Sequence, residues 1–528
     1  MPDWLLLLPL LFPLFGALAG TPIPFKRAIS ARQWFAPCFI TIEIALVLVN
    51  AAPGTHHLSI SSWGLASFAV ALQMDGITQL LLLTMLVPLA AVWLVAPPRQ
   101  PDAFPTLVLT AAILLAAADG VVAVLIAWTL LDLTVFALRL ARDIERATAL
   151  RSLAIGSFAG MIFLGGAILL PAHPAEGAML IGLALWARLG LFPFHPLLPA
   201  RGAGEYDLWF ARGIPILAAA NLWLHWSALR VAAPYPLVGV LAGATCIVAA
   251  IWVWRTSDAP HALGIGASSA LALVPLSIAY GGNAGTALAL WQVLAIAFAL
   301  ALGDLAQRWH AENLNHYPRL VWFLRLLTLE GLPLTPAFLG RLGLYVALID
   351  SGEWLLLILA GLSTLMILTP LWNLGLAIRG SEARMPTRVE YAGLTLALLA
   401  FTALAFAPML ITSALGPGVA ESADRALERV VRIANLPSVI VGILVLVLPV
   451  AGSLVLRLLV RAYRPGTRSF AVRLARATEL EWLERGLSHI GFQVGTIARS
   501  VLTLTEENPT VWILFVSLWV AIFIAIAR

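Results

Sequence analysis

The sequence predicts an all-α, polytopic membrane protein with about sixteen transmembrane helices. Its 528 residues are 61% hydrophobic and 11% charged, and their mean hydropathy is +0.94. Soluble globular chains are about 25% charged, so this composition excludes an ordinary soluble protein. Apolar runs long enough to cross a bilayer recur along the whole chain, which favours membrane-spanning helices over a buried soluble core.

Each predicted span is a run of roughly 20 apolar residues bounded by turns or charges. The predicted spans are 3–19, 33–51, 75–96, 104–118, 120–140, 152–171, 177–198, 211–230, 235–254, 262–281, 284–305, 318–349, 354–377, 389–412, 437–459 and 510–527. Within 464–505, apolar residues recur at helical spacing opposite many charges. This segment is predicted to be an amphipathic connecting helix.

The distribution of basic residues predicts the orientation in the membrane. Of 32 basic residues, all but Lys26 are arginine. When the loops are placed alternately on two sides, most of these residues fall on one side, which is expected to be cytoplasmic. Both termini are then outside, and we expect a multi-pass protein of a bacterial cytoplasmic membrane. The few basic residues on the outer side are Arg230, Arg425, Arg429, Arg432 and Arg528.

Several ionisable residues lie within the predicted spans, where a charge is costly and often marks a transport path. They are Glu43, Asp132, Arg139, Arg188, His195, His225, Asp304, Arg325, Glu330 and Arg341. Those near helix ends have an ordinary explanation, because long side chains can extend to water. His225 has one as well, since it can be a hydrogen-bonded interior histidine.

Two predicted helices are interrupted at mid-depth. The seventh reads ALWARLGLFPFHPLLPA and the twelfth reads LTLEGLPLTPAFLGRLGLY, each with several Gly and Pro residues. Proline removes a backbone donor and clashes with the preceding turn, so both helices should break or kink. Broken helices at corresponding places in two halves are a sequence signature of a transport site. Arg188, Glu330 and Arg341 lie beside these breaks.

The sequence gives no sign of redox chemistry within this chain. Cys38 and Cys246 lie in apolar segments without the spacing of a metal or disulfide site. No phosphate-binding or dinucleotide-binding glycine motif follows a strand pattern. Any nucleotide or redox chemistry is therefore expected in partner subunits.

The broken helices and their charges resemble the antiporter-like membrane subunits of respiratory complex I (NADH-quinone oxidoreductase), with relatives in Mrp cation/proton antiporters and membrane-bound hydrogenases. The match in the twelfth helix is the most specific. Asp119 before VVAVLIAW, the segment SSWGLASFAVALQMDGITQLLLL and the pair Ser268–Ser269 are also similar to family features. The resemblance covers about residues 1–412.

The resemblance implies two inverted five-helix repeats and a chain of intramembrane charges that relays protons. It places helices 1–3 in 1–103, the first repeat (helices 4–8) in 104–230 and the second repeat (helices 9–13) in 235–377. Helix 14 follows at 389–412, and a C-terminal extension with two further spans and the amphipathic helix occupies 413–528. The chain itself would bind no cofactor, and NADH, quinone and iron–sulfur clusters would belong to partner subunits of the complex.

This sequence departs from the family pattern at the proton-carrying positions. Thr129 stands where the family has a glutamate, with Asp132 one turn later, and Arg188 and Arg341 replace lysines. A buried lysine can release a proton, whereas arginine, with a pKa above about 12, stays charged.

Two mechanisms are compatible with these residues. In one, Arg188 and Arg341 are fixed charges, and Asp132, His195, His225 and Glu330 titrate. In the other, Arg188–Asp132 and Arg341–Glu330 are static ion pairs in a scaffold that does not pump. An Mrp-type cation/proton antiporter subunit is the alternative to a complex I-like subunit.

Overall fold

The structure, a computed structural model, describes part of the chain. The described residues are 7–19, 42–47, 56–61, 70–95, 103–141, 146–194, 210, 213–225, 235–256, 259–311, 317–333, 335, 337–377, 395, 399, 417–432 and 435–462. The chain divides into two compact units, Met1–Val472 and Arg473–Arg528, and all described residues belong to the first. The predicted segment 464–505, the last predicted span and nearly all of 389–412 lie outside these ranges.

The described residues are mainly helical. The first part comprises α1 (Leu8–Ala19), α2 (42–47), β1 (His56–Ser61), β2 (Val70–Met74), α3 (Gly76–Val95), α4 (Ala103–Ala117), β3 (Ala118–Asp119), α5 (Val121–Ala141), α6 (Arg146–Leu169), α7 (Pro174–Arg188) and α8 (Ile214–His225). The second part comprises α9 (Tyr235–Arg255), α10 (Ala259–Tyr280), a 3₁₀ turn (Gly282–Ala284), α11 (Gly285–Ala311), α12 (Tyr317–Leu329), α13 (Phe338–Asp350), α14 (Trp354–Ala377), α15 (Pro417–Val431) and α16 (Leu436–Ala462).

Seven of the described helices are long and apolar enough to cross a membrane, namely parts of α5, α6, α9, α10, α11, α14 and α16. Shorter apolar helices lie within α3, α4 and α8. Large apolar side chains such as Met161, Leu355 and Leu448 are exposed on the outer helices, as expected for a surface that contacts lipid. The all-α, multi-pass prediction is therefore confirmed, while the count of about sixteen spans extends to segments outside the described ranges.

A small three-stranded antiparallel sheet departs from the all-α prediction. Its order is β1–β2–β3, with His56 opposite Met74 and Ala71 opposite Asp119. β2 directly precedes α3, and β3 lies between α4 and α5, where backbone groups without a helical partner can pair with a neighbouring strand. The sheet places Asp75, which follows β2, on the same edge of the molecule as Asp119.

Both predicted helix breaks are present. α7 ends at Arg188, and the turn that follows contains Gly190 with φ +66°. The predicted span 318–349 is two helices, α12 and α13, separated by Glu330–Ala337. Gly331 in this break has φ +64°, a conformation that residues with a side chain rarely adopt.

The elements around α15 show which loops share one end of the bundle. The Ser422 hydroxyl of α15 donates to the Asn283 carbonyl at 2.8 Å and accepts from the Ala287 amide at 3.2 Å. Ser438, near the start of α16, donates to Asp350 Oδ1 at 3.1 Å. The turn 281–284, the end of α13 at Asp350 and the start of α16 therefore lie at the same end of the bundle as α15, as alternating membrane spans require.

Candidate functional site

The first buried ion pair joins α5 to the end of α7. Arg188 Nη1 donates to Asp132 Oδ1, and the two residues are 8% and 9% exposed. The Arg188 guanidinium lies 5.1 Å from the centre of the Trp128 ring, a cation–π contact. Thr129 is exposed and donates to the Leu125 carbonyl of its own helix, so Asp132 supplies the carboxylate on the buried face of α5.

This first pair has unused hydrogen-bonding capacity. Asp132 Oδ2 and Arg188 Nε are buried and have no hydrogen-bond partner in the described part of the chain. The Trp128 indole nitrogen donates to the Gly156 carbonyl at 3.1 Å. The pair is therefore neutral as a whole but incompletely bonded, which is costly in an apolar interior and leaves sites for water or a proton.

The second buried ion pair spans the break between α12 and α13. Arg341 Nη1 donates to Glu330 Oε2 at 2.8 Å and to the Leu329 carbonyl at 3.2 Å. Thr364 of α14 donates its hydroxyl to the same Glu330 oxygen at 2.7 Å. The helix break makes this arrangement possible, because it frees the Leu329 carbonyl from helical hydrogen bonding.

A short polar row lies next to Thr364. The Ser363 and Ser269 hydroxyls are 3.1 Å apart, and Ser269 donates to the Cys246 sulfur at 3.4 Å. All three side chains are buried. The row connects α14 to α10 and α9, so the second pair belongs to a larger polar interior shared by three elements.

A third group of polar residues joins α8 to the start of α3. His225 Nε2 lies 2.7 Å from Asp75 Oδ2, and His225 Nδ1 lies 2.8 Å from the Asn221 carbonyl oxygen. The Asn221 side chain donates to the Ala116 carbonyl at 2.7 Å, and Thr78 N donates to Asp75 Oδ1 at 2.9 Å. Asp75 was not among the predicted site residues, because an aspartate before a helix is already explained as an N-cap.

Asp75 precedes α3 and lies outside the membrane-spanning helices. Burial by itself raises the pKa of this carboxyl, but the hydrogen bond and charge of His225, together with the hydrogen bonds of Thr78, outweigh the effect of burial. The pKa of Asp75 therefore lies below its ordinary value, which keeps the carboxylate ionised at neutral pH.

Of the remaining ionisable residues in the predicted spans, three are buried in the structure and two have side chains outside the described residues. Arg139 and Arg325 are 2% and 0% exposed, so they are buried in the protein and do not extend to water. Glu43 in α2 is buried as well, and neither of its carboxylate oxygens has a hydrogen-bond partner within the described residues. The predicted site residue His195 lies outside the described residues, as does the side chain of Asp304.

The helices and buried charges define a polytopic membrane protein whose Arg–carboxylate pairs lie at broken helices. Homologues of the chain are subunits of NADH-quinone oxidoreductase. Subunit 14 from Thermus thermophilus is 28% identical over 382 residues, which is 65% of this chain and 87% of the relative. Subunit N from Cereibacter sphaeroides is 28% identical over 226 residues, which is 40% of this chain and 50% of the relative. No family model matches the chain.

Solved structures share the fold. A chain of the Mrp complex from Dietzia sp. DQ12-45-1b has a TM-score of 0.73 at 18% identity, over 94% of this chain and 60% of that chain. A chain of Thermus thermophilus respiratory complex I has a TM-score of 0.66 at 19% identity, over 81% of this chain and 100% of that chain. A chain of an archaeal membrane-bound sulfane sulfur reductase has a TM-score of 0.67 at 14% identity, over 99% of this chain and 100% of that chain. The predicted family resemblance is thus confirmed.

Proposed function

We propose that this chain is an antiporter-like membrane subunit of a proton-translocating redox complex that resembles NADH-quinone oxidoreductase. Its homologues are subunits of that enzyme, and its fold occurs in complex I and in the Mrp complex. The single observation that carries the proposal is the pair of buried Arg–carboxylate contacts at two broken helices. Buried charges at discontinuous helices are the usual basis of ion and proton paths.

In the proposed mechanism, the arginines keep their charge and the carboxylates exchange protons. Arginine does not lose its proton in proteins, so Arg341 stays charged when Glu330 accepts one. Protonation of Glu330 weakens its contact with Arg341 and leaves the Leu329 carbonyl as the other acceptor of the same guanidinium nitrogen. Proton occupancy and the position of Arg341 are thereby coupled. Asp132 and Arg188 form the equivalent pair in the first half.

We place the chain in a bacterial cytoplasmic membrane with both termini outside, next to other membrane subunits of the complex. Residues 104–230 and 235–377 form the two inverted repeats, and each contributes one Arg–carboxylate pair. NADH, quinone and iron–sulfur clusters belong to partner subunits. This arrangement follows from the positive-inside rule and from the family resemblance.

An Mrp-type cation/proton antiporter subunit is the second candidate. The observation that favours it is the likeness to the Mrp complex chain, which covers 94% of this chain. The polar interior suits this function as well, because hydroxyl and carboxylate oxygens such as those of Ser269, Ser363 and Glu330 are ligands that bind hard cations.

Purification through a tag on this chain tests the two candidates. The proposal predicts that further membrane subunits and a peripheral redox arm purify with it, and that quinone reduction drives proton movement in vesicles without sodium. Co-purification of membrane subunits alone, with proton movement that requires a sodium gradient, would select the antiporter. A lone, fully active monomer would contradict both.

A further inference from the structure

The contacts of His225 fix where protons lie. A backbone carbonyl only accepts hydrogen bonds, so the contact with the Asn221 oxygen places a hydrogen on Nδ1. A neutral imidazole carries one N–H, and the second contact is with a carboxylate oxygen of Asp75. Two oxygen acceptors on one imidazole require one further proton, and because the Asp75 carboxylate is ionised this proton lies on Nε2. The geometry therefore describes a pair that has one proton bound.

The pair lies at the boundary between water and the buried interior. The side chains of His225 and Asp75 are 25% and 19% exposed, whereas Asn221, one turn earlier on α8, is 1% exposed. Asn221 Oδ1 is buried and has no hydrogen-bond partner among the described residues. The His225–Asp75 pair is thus partly exposed, whereas the preceding turn of α8 is buried and contains an unused hydrogen-bond acceptor.

The charged residues on the elements around His225 can be named. Within the described residues, Asp75 and Asp119, which lies at the end of β3, both act on His225. Four of the described helices pack against α8. Of these, α3 and α4 contain no charged residue, and α7 ends with Arg188, which is bonded to Asp132. The fourth, α11, contains Asp304, Arg308 and His310 in its C-terminal part. Asp75 and Asp119 therefore place negative charge near a histidine, the residue whose ordinary titration range is closest to neutral pH.

We propose that Asp75 and His225 together form a proton-exchange site between water and the buried part of the first half of the chain. This inference rests on the proposed function and adds Asp75, which neither the sequence pattern nor the resemblance assigns to a proton path. On release, the Nε2–H bond breaks, its electron pair stays on nitrogen and the proton goes to water. Uptake is the reverse.

Deprotonation also has a structural consequence. Once the proton leaves, a nitrogen lone pair faces a carboxylate lone pair, and the hydrogen bond between His225 and Asp75 is lost. Asn221 accepts the other imidazole hydrogen bond, so its carbonyl is fixed by the same ring.

Redox-driven proton pumping by the native assembly in vesicles, followed with a pH-sensitive dye over a range of pH, tests the proposal. His225→Gln keeps a hydrogen-bonding side chain but cannot titrate, and Asp75→Asn removes the carboxylate. We expect each variant to pump at least about tenfold more slowly, since a positioned proton-transfer group contributes about 10² or more to rate. We also expect loss of the pH dependence that the unaltered assembly shows near neutral pH.

His173→Gln is the matched control, because His173 is exposed and makes no side-chain hydrogen bond at the start of α7. Pumping by His225→Gln that equals this control at every pH would overturn the proposal and leave the proposed function intact. An unaltered assembly that reduces quinone without pumping would instead overturn the proposed function.

A second measurement covers variants that fail to assemble. In ¹⁵N-histidine NMR of the purified full chain, the signal that His225→Gln removes belongs to His225. We expect this ring to take up and release a proton as the pH is varied. In the Asp75→Asn variant, we expect the pH at which this happens to change. A ring that keeps a single N–H throughout the stable pH range would contradict the proposal.

Discussion

At the scale of single residues, Gly156 leaves the space that the first ion pair occupies. A Cβ atom at this position would lie 2.5 Å from Asp132 Oδ2 and 2.7 Å from Asp132 Oδ1. Heavy atoms do not approach so closely without a bond, so the carboxylate and any side chain larger than hydrogen exclude each other. The contact between α5 and α6 is therefore part of the site.

Gly156→Ala is expected to displace Asp132 and to lower the free energy of unfolding by about 1–3 kcal/mol, the usual cost of overpacking. The measurement is thermal or denaturant unfolding of the purified chain in detergent. Gly165→Ala on the same helix is the control, because nothing lies within 4 Å of its Cβ position. It should leave stability unchanged or raise it by up to about 1 kcal/mol. Equal stability of the two variants would contradict the described packing.

Some residues of the site could be predicted from the sequence, and others could not, for a physical reason. Asp132, Arg188, Glu330 and Arg341 stand out because a charge within an apolar run has few explanations. Asp75 does not, because it lies at a helix start and its partner His225 is 150 positions away. Thr364 and Ser363 are also missed, since hydroxyl groups are common in membrane helices and bond to their own backbone.

At the scale of elements, the break between α12 and α13 holds the second pair. Gly331 has φ +64°, and a Cβ atom there would lie 2.9 Å from Arg341 Cδ. Glycine is therefore required at this position for two reasons: the backbone has a positive φ, and the aliphatic part of the Arg341 side chain occupies the space of a Cβ atom. Only the first could be expected from a Gly–Leu–Pro sequence, because the second depends on the tertiary fold.

Gly331→Ala should lower stability more than Gly352→Ala does. Gly352 has φ +75° but nothing within 4 Å of its Cβ position, so it isolates the backbone strain of about 1–3 kcal/mol. The contact with Arg341 should add about 1 kcal/mol or more to the Gly331 variant. Unfolding of both variants under identical conditions gives the comparison, and a larger loss for Gly352→Ala would contradict the described break.

The helix α15 shows the limit of element prediction. The segment 413–436 reads as a connection between two spans because charges interrupt it. In the structure, its small residues Ala423 and Ala426 are buried against α11 next to Leu288 and Trp291. The helix is strongly amphipathic, so its pattern is visible in the sequence, but the surface that it covers depends on the tertiary fold.

At the scale of the whole molecule, composition and hydropathy suffice to predict a multi-pass helical protein, because no other fold places so much apolar surface in a membrane. The pairings of the small sheet were not predictable, since its strands are short and β3 lies far along the chain from β2. The scarcity of lysine acquires a structural meaning here: arginines hold the ion pairs at both broken helices.

The central claim is that these pairs serve proton translocation. Removing one partner leaves an uncompensated buried charge and costs about 3–5 kcal/mol, whereas neutralising both partners is far less disruptive. The double variant Asp132→Asn/Arg188→Gln therefore separates function from folding. The control is Glu421→Gln/Arg425→Gln, which neutralises an exposed ion pair on α15.

The most direct measurement is the number of protons moved per quinone reduced by the native assembly in vesicles, with the double variants compared at equal redox rates. Our account predicts that Asp132→Asn/Arg188→Gln assembles and reduces quinone but moves distinctly fewer protons, while the α15 control matches the unaltered assembly. An unchanged proton ratio in the assembled Asp132→Asn/Arg188→Gln variant would contradict the claim and identify the chain as a scaffold.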